Sequence, residues 1–225
     1  MDEAAATRLA EITDRIARAQ ARFGAPPEHV QLVAVSKTFP AEDILPFLAA
    51  GQRVFGENRV QEAKDKWPGL RAAYPDAELH LIGPLQTNKA REAVALFDVI
   101  QTLDRDKLAG VLAAEMVRAD LQLPCFVQVN IGGEPQKAGI APEETVAFVR
   151  RCRDEHKLTI TGLMCIPPDG LPAGPYFAHL AMLARAADVE HLSMGMSGDF
   201  EVAIGMGATH VRVGSALFGH RPRAE

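Results

Sequence analysis

Residues 190–215 read EHLSMGMSGDFEVAIGMGATHVRVGS, and this stretch contains two short apolar strands separated by a helical segment. The strands are predicted at Glu190–Ser193 and His210–Val213, and the helical segment begins near Ser197. Strands that are apolar on both faces and joined by a helix are typical of a parallel sheet covered by helices. The stretch therefore predicts one β–α–β unit of an α/β protein.

The same alternation extends outward through the rest of the chain. The predicted strands lie at Gln31–Val35, Arg53–Phe55, Glu78–Ile82, Asp98–Gln101, Cys125–Asn130, Thr159–Met164, Glu190–Ser193 and His210–Val213. The helical stretches between them begin near Ala41, Glu57, Asn88, Asp104, Pro142, Gly174 and Ser197. Eight such units predict an α/β fold with a single (β/α)8 TIM barrel.

An extra helix is predicted before the first strand, over residues 3–23, because apolar residues recur at helical spacing, namely Leu9, Ile12, Ile16 and Phe23. No linker or low-complexity segment interrupts the alternation, which predicts one domain over residues 1–225. An open doubly wound sheet is the alternative. Against it, no GxGxxG motif follows the first predicted strand.

The composition bounds the possible functions. The chain has 225 residues, of which 48% are hydrophobic and 24% are charged, and its formal net charge is −5. A chain this apolar is globular rather than disordered, and its mild acidity argues against a nucleic-acid binder. The N-terminus lacks the basic and apolar regions of a signal peptide, and no apolar run is long enough to span a membrane. We therefore expect a soluble cytoplasmic protein.

The three cysteines are Cys125, Cys152 and Cys165, which form neither a CxxC motif nor a zinc-binding pattern. Free, buried thiols are expected, and a disulfide framework or a metal site is not. Residues 167–175 read PPDGLPAGP, and they predict a long loop after the sixth strand.

The functional site of a barrel lies at the carboxyl ends of its strands, and Lys37 follows the first strand at such an end. Because side chains alternate along a strand, Lys37 shares a face with Val33 and Val35. A lysine that ends a strand commonly points to solvent. The functional alternative is an amine held at the barrel mouth as a nucleophile toward carbonyl groups.

Arg212 lies in the last strand, between Val211 and Val213. The valines are expected to pack outward on the helices, so that Arg212 faces the barrel interior. A buried arginine needs an acceptor, and an ion pair with an inward carboxylate would be a purely structural explanation. Because the first and last strands of a closed barrel are neighbours, Lys37 and Arg212 are predicted to flank one cavity.

Small residues follow the seventh and eighth strands. Ser197 is predicted to be the N-cap of the next helix, and Gly214 and Ser215 open the last turn. Hydroxyl groups and backbone N–H groups of this kind either cap a helix or bind a phosphate. An amine, a guanidinium that faces a ring nitrogen and a phosphate site together fit one ligand, pyridoxal 5′-phosphate (PLP), held as a Schiff base on Lys37.

Other polar residues give weaker indications. Asn58, after the second strand, either contacts the cofactor ring or caps a helix. His80 is either an inward residue of the barrel core or a partner of site residues. Met194 is expected to pack under the cofactor ring.

Longer motifs resemble the YggS/PROSC family of pyridoxal phosphate homeostasis proteins. They are VAVSKTFP over residues 33–40, FGENRVQEAKDK over 55–66, LHLIGPLQTNK over 79–89, VQVN over 127–130, GLMCIP over 162–167 and LSMGMSGDFEVAIGMGATHVRVGSALFG over 192–219. They extend from one end of the predicted barrel to the other.

The resemblance implies the fold of the alanine racemase N-terminal domain, with PLP attached to Lys37. It implies that Arg212 faces the pyridine nitrogen and that Ser197, Gly214 and Ser215 hold the phosphate. Asn58 and Met194 match positions that line the cofactor. The family is thought to carry and buffer PLP and to influence vitamin B6 and amino-acid pools, without an established reaction.

Three hypotheses follow. The first is a non-catalytic PLP carrier that delivers the cofactor to apo-enzymes, as a monomer. The second is a minimal PLP-dependent amino-acid racemase, which would need a second acid/base, and the only tyrosines are Tyr74 and Tyr176. Tyr74 is expected to lie away from the mouth, whereas Tyr176 follows the loop and could approach it. The third is a phosphosugar lyase that uses Lys37 without a cofactor.

Overall fold

The computed structural model describes residues 3–26 and 29–219, which form a closed barrel of parallel strands paired in chain order. The strands are β1 Gln31–Val35, β2 Val54–Glu57, β3 Glu78–Leu81, β4 Val99–Leu103, β5 Cys125–Val129, β6 Ile160–Cys165, β7 His191–Ser193 and β8 His210–Val213. The helices are α1 Glu3–Phe23, α2 Ala41–Ala49, α3 Val60–Ala73, α4 Ala90–Leu96, α5 Asp106–Ala119, α6 Thr145–Asp154, α7 Gly174–Ala186, α8 Phe200–Gly205 and α9 Ser215–Phe218. Short 3-10 turns, Thr87–Lys89 and Pro142–Glu144, precede α4 and α6. The predicted (β/α)8 barrel with an extra N-terminal helix is confirmed.

The predicted strands match the observed ones to within two residues at each end, and β1 and β8 match at both ends. One difference concerns Glu57, near which the sequence predicts the start of a helix. Glu57 is the last residue of β2 and is completely buried, and α3 begins only at Val60. The long loop predicted over residues 167–175 is observed up to Ala173, after which α7 begins.

The barrel closes where β1 pairs with β8, in a register that places Val33 beside Arg212. Val211 and Val213 belong to the main hydrophobic core, which fills the space between sheet and helices. Arg212 points the other way, as the alternation of a strand requires. Inside the barrel, a separate small apolar cluster consists of Val99, Phe126 and Met164.

Helix α1 covers the outside of the barrel with its apolar face, on which Leu9, Ile12 and Ile16 are buried. Its polar face is tied to α8 by an ion pair between Arg15 Nη2 and Glu201 Oε1 at 2.6 Å.

The three thiols are free and buried, as predicted. Burial raises the pKa of Cys125, Cys152 and Cys165 to about 12, so these side chains are neutral packing groups. In the part of the chain that the structure describes, no helix is both long and apolar enough to cross a membrane.

Candidate active site at the barrel mouth

A cavity of about 710 Å³ opens at the carboxyl ends of the strands. It is lined by Val35, Lys37, Phe39, Asn58, Ile82, Ile166, Met196, Ser197, Gly198, Arg212, Gly214, Ser215 and Gly219. Six of the seven residues predicted for the site are in this set. The structure therefore brings together side chains that are as far as 178 positions apart in the chain, from Lys37 to Ser215.

Met194 is the seventh predicted residue, and it lies outside this set. It is fully buried in the main hydrophobic core. Met196, two residues later, lines the cavity instead. In the loop between β7 and α8, the methionine that lines the cavity is therefore Met196 and not the predicted Met194.

Lys37 lies in a turn directly after β1, and α3 holds the backbone on both sides of it. Lys66 Nζ of α3 donates hydrogen bonds to the carbonyl oxygens of Ser36 and Phe39, each at 2.9 Å. Thr38 adopts a left-handed conformation with φ of 69°, and its N–H donates to the carboxylate of Glu62. A non-glycine residue in this conformation is strained, and such strain is typical of functional sites.

Beneath this turn, Glu57 forms a buried ion pair with Lys66, with Oε1 and Nζ 2.8 Å apart. The same oxygen accepts hydrogen bonds from Ser36 Oγ at 2.5 Å and from Trp67 Nε1 at 3.1 Å. Burial is the largest influence on this carboxyl and raises its pKa, although Lys66 opposes the shift. This polar cluster fixes the turn that carries Lys37.

Asn58 follows β2 and lines the cavity near the loop after β3. A Cβ atom on Gly83 would lie 2.3 Å from the carbonyl oxygen of Asn58, so only glycine permits this approach of the two loops. Gly83 thereby allows the loop after β3 to lie against the backbone of Asn58.

Arg212 is 4% exposed and reaches the cavity from inside the barrel. Its Nη1 donates to Ser193 Oγ at 2.7 Å, and its Nη2 donates to the carbonyl oxygen of Cys165 at 2.9 Å. Within the described residues, no carboxylate forms an ion pair with it, so the structural salt bridge considered from sequence is absent. Burial lowers the pKa of Arg212 from its ordinary value, but an arginine stays protonated.

The prediction that Ser197 caps the helix after β7 is wrong. Helix α8 begins at Phe200, Asp199 is its N-cap residue, and Asp199 Oδ1 accepts the N–H of Met196 at 2.6 Å. The loop is longer than expected because Gly195, with φ of 91°, turns the chain toward α8. A Cβ atom on Gly195 would lie 2.6 Å from Ala203 Cβ, so the turn requires glycine.

This longer loop moves Ser197 to the cavity. Its Oγ accepts the N–H of Ala216 at 3.4 Å, which joins the loop after β7 to α9. Ser197, Gly198, Gly214 and Ser215 thus form one surface of small residues. Hydroxyl and backbone N–H groups on such a surface can bind an anion.

Several lining residues were not predicted, and most are apolar. Phe39 is an example, and its ring stacks on that of Phe218 with centroids 4.9 Å apart.

Neither tyrosine lines the cavity. Tyr74 follows α3 at the opposite end of the barrel, as expected, and Tyr176 packs against the hydrophobic core from α7. Among the described lining residues, Lys37 and Arg212 alone have ionisable side chains.

Comparison with known proteins gives consistent results. A family model described as the alanine racemase N-terminal domain matches residues 7–222. A pyridoxal phosphate homeostasis protein of Vibrio cholerae is 41% identical over 226 residues, which cover 95% of this chain and 94% of the relative. PipY of Synechococcus elongatus, whose structure was solved with PLP bound, is 40% identical, with a TM-score of 0.81 and coverage of 96% of this chain and 100% of PipY.

A structure of an unknown protein from Bifidobacterium adolescentis is 30% identical and has a TM-score of 0.89, covering 96% of this chain and 97% of that chain. Similarity therefore extends along the barrel and is not confined to a motif. The chain belongs to the alanine racemase N-terminal domain family and, within it, to the pyridoxal phosphate homeostasis proteins.

Proposed function

We propose that this chain binds PLP at the barrel mouth and carries and buffers the cofactor, which maintains vitamin B6 and amino-acid homeostasis. The observation that carries the proposal is that Lys37 and Arg212 line one cavity together with two loops of small residues. The cavity of about 710 Å³ lies within the size range of small-molecule sites. Relatives of similar length are named pyridoxal phosphate homeostasis proteins.

Each part of the cavity suits one part of the cofactor. Lys37 would carry the covalent attachment of the PLP aldehyde, and Arg212 would face the pyridine nitrogen. Ser193 and Cys165 accept one N–H group each from Arg212, and a guanidinium has five, so donors remain for a ligand.

The remaining assignments concern the phosphate and the cofactor ring. Ser197, Gly214 and Ser215 would bind the phosphate, as the small-residue surface allows. Asn58 would contact the ring. Met194, which is buried outside the lining, would support the loop rather than touch the ligand.

Bound PLP supplies an electron sink for reactions at the α-carbon of amino acids. The residues of this cavity favour binding over turnover. Arg212 cannot transfer a full proton to a ring nitrogen, which weakens the sink. A two-base racemase needs a second acid/base in addition to Lys37. Among the lining residues that the structure describes, there is no tyrosine, histidine, cysteine or carboxylate. We therefore propose a carrier rather than an enzyme.

The proposal includes a single domain over residues 1–225 that acts as a monomer and transfers PLP to apo-enzymes in the cytoplasm. The family model matches most of this range, from residue 7 to residue 222. Three free, buried thiols fit a reducing compartment. The net charge of −5 argues against a nucleic-acid partner.

Borohydride reduction followed by peptide mass spectrometry tests the attachment. The protein is incubated with PLP, reduced and digested, and a pyridoxyl adduct is expected on Lys37. Lys37→Ala should abolish the adduct and the visible absorption of the complex. Lys107→Ala, a change at an exposed lysine of α5, is the control and should retain both. An adduct on another lysine would contradict the assignment of Lys37. A colourless protein that instead retains a sugar phosphate would contradict PLP binding and favour the lyase.

Heavy-water exchange tests the carrier against the racemase. PLP-loaded protein is incubated with L-amino acids in D₂O, and deuterium at the α-carbon is measured by NMR. A carrier should give no more exchange than free PLP, whereas a racemase should give exchange at turnover rates. In a parallel assay, the loaded protein should restore activity to an apo-enzyme that depends on PLP.

A further inference from the structure

A continuous chain of side-chain hydrogen bonds crosses the barrel interior below the cavity. From Arg212 Nη1 it passes to Ser193 Oγ at 2.7 Å, and from Ser193 Oγ to Gln101 Oε1 at 2.5 Å. Gln101 Nε2 then contacts His80 Nδ1 at 2.7 Å, and His80 Nε2 contacts Glu78 Oε1 at 2.7 Å. These four bonds link β8, β7, β4 and β3, so the chain spans the barrel from one side to the other.

The direction of the bonds follows from the Arg212 donor, the Glu78 acceptor and the orientation of the Gln101 amide between them. Arg212 can only donate, and the ionised carboxylate of Glu78 can only accept. Ser193 therefore accepts from Arg212 and donates to Gln101, and the Gln101 amide donates to His80 Nδ1. In this direction His80 Nδ1 accepts from Gln101, and His80 Nε2 donates to Glu78 Oε1. The hydrogen bond from His80 lowers the pKa of Glu78, which keeps this carboxylate an acceptor at neutral pH.

The middle of the chain is shielded from solvent, and its far end is not. Ser193 and Gln101 are completely buried and His80 is 1% exposed, whereas the Glu78 side chain is 45% exposed. Glu78 begins β3, at the end of the barrel opposite the cavity. Buried hydrogen bonds that point in one direction strengthen one another, so an acceptor at the far end improves Ser193 as an acceptor for Arg212.

We propose that Ser193, Gln101, His80 and Glu78 are positioning residues that orient Arg212 through this chain of hydrogen bonds. The inference rests on the proposed function in one respect, because PLP binding is used to measure the effect of the variants. None of these four residues lines the cavity, and their effect on a ligand is exerted through Arg212. The chain gives the buried guanidinium a defined orientation, and the charge of Asp199 acts separately to raise its pKa against the effect of burial.

Ligand binding by variants tests the chain. Ser193→Ala and Gln101→Met each cut it at one point and should raise the dissociation constant for PLP about tenfold, because an arginine N–H loses its hydrogen-bonded support. Glu78→Gln retains an acceptor oxygen but removes the negative charge at the end of the chain, and it should weaken binding roughly threefold. Glu190→Gln, at an exposed residue that directly precedes β7, is the matched control and should leave binding unchanged.

A double-mutant cycle separates the chain from independent packing effects. In the Ser193→Ala background the chain is already cut, so Glu78→Gln should have no further effect on the PLP dissociation constant. Binding within twofold of wild type in both Ser193→Ala and Gln101→Met, or a Glu78→Gln effect that persists undiminished in the Ser193→Ala background, would overturn the proposal. Thermal unfolding verifies that each variant is folded, and Glu78→Gln, at a half-exposed site, is the variant least able to disturb the core.

A measurement without PLP keeps this inference separate from the proposed function. ¹⁵N NMR of the ligand-free protein at neutral pH should show His80 as the neutral Nε2–H tautomer. The Nδ1–H tautomer or a doubly protonated ring would refute the chain of hydrogen bonds, whatever the ligand. If the expected tautomer is found and the wild type does not bind PLP, the proposed function fails and the positioning of Arg212 stands.

Discussion

The two ends of the barrel interior differ in what fills them. At the mouth, small residues from the loops after β7 and β8 leave a cavity, and the cations Lys37 and Arg212 line it. At the opposite end, aromatic rings close the barrel. His210 packs against Phe126, His191 and His80 at centroid distances of 5.2, 5.4 and 5.9 Å.

The basic groups at the two ends also differ in their charge. Arg212 donates to two neutral acceptors on its inner side and keeps its charge beside the cavity. His210 is surrounded by rings and other basic groups, and burial lowers its pKa to about 3, so it is neutral. The contrast indicates that the mouth is built for binding an anionic ligand, and the closed end for packing.

The largest effect is expected below the mouth, where Lys66 and Glu57 support the turn of Lys37. Lys66→Met leaves the Glu57 carboxyl buried without its ion-pair partner, and loss of one partner of a buried pair costs about 3–5 kcal/mol. Urea unfolding should show this decrease in the free energy of unfolding. Covalent attachment of PLP should slow as well, because Lys66 holds the backbone on both sides of Lys37.

Lys64→Met is the control for this change. Lys64 lies on the same helix and also pairs with a glutamate, Glu92, but its side chain is 44% exposed. Water screens such a pair, so the variant should unfold close to the wild-type midpoint. Equal destabilisation by the two variants would show that the buried cluster has no special role in supporting the mouth.

The second effect concerns ligand binding rather than stability. Arg212→Met should weaken PLP binding at least about a hundredfold, or about 2.7 kcal/mol, because it removes the donor to the pyridine nitrogen. The free energy of unfolding should change by less than about 1 kcal/mol, since a buried cation without an ion-pair partner contributes little to stability. Titration of PLP by absorbance and urea unfolding measure the two quantities.

Arg212→Lys refines this prediction. A lysine keeps the charge, but a single ammonium cannot reproduce the two-armed contact with Ser193 and the Cys165 carbonyl. We expect a loss of affinity of about tenfold, intermediate between wild type and Arg212→Met. Full affinity in Arg212→Lys would indicate that charge alone matters and that orientation does not.

Sequence predicts the features that depend on local periodicity. Alternation along β8 gives the inward direction of Arg212 between two valines, and the closure of eight units brings it to β1 beside Lys37. These steps need only the two-residue repeat of a strand and the count of strand–helix units.

Sequence does not predict features that arise only when distant segments meet. Gln101 lies in a part of β4 where the pairing register with β5 shifts, and its contacts with His80 and Ser193 come from other strands. The helix cap was misassigned to Ser197 because the turn at Gly195 lengthens the loop, for which the motif gives no local signal. Glu57 follows an apolar strand and a glycine, and its burial depends on Lys66 of the next helix.

The third prediction concerns the loss of stability in acid that arises at the closed end of the barrel. The His210 ring is neutral in the folded protein but becomes protonated below pH 6.5 in the unfolded chain. The free energy of unfolding is therefore undiminished above that pH, and it falls as the pH drops toward 3. Between pH 6 and pH 5, the free energy of unfolding should decrease by about 1 kcal/mol on this account. His80, His191, Arg212 and His29 are the other basic groups that act on His210.

His210→Asn removes the titrating ring and should flatten this pH dependence. Asparagine can still form a hydrogen bond with Thr209 Oγ1, which His210 Nδ1 contacts at 2.8 Å. His179→Asn, at an exposed histidine of α7, should leave the slope unchanged. Urea unfolding at pH 5 and pH 6 gives the comparison, and an undiminished slope in His210→Asn would assign the acid sensitivity to another group.

The smallest effect distinguishes the two methionines that follow β7. Met196 lines the cavity, so Met196→Ala should weaken PLP binding about threefold through loss of apolar contact. Met194 is buried in the core, and Met194→Leu conserves volume there, so it should change stability by less than about 1.5 kcal/mol and leave affinity within twofold. PLP titration and urea unfolding of both variants test this division between ligand contact and packing. If Met194→Leu weakens PLP binding more than Met196→Ala does, the cofactor extends deeper than the cavity, toward the ring-filled end of the barrel.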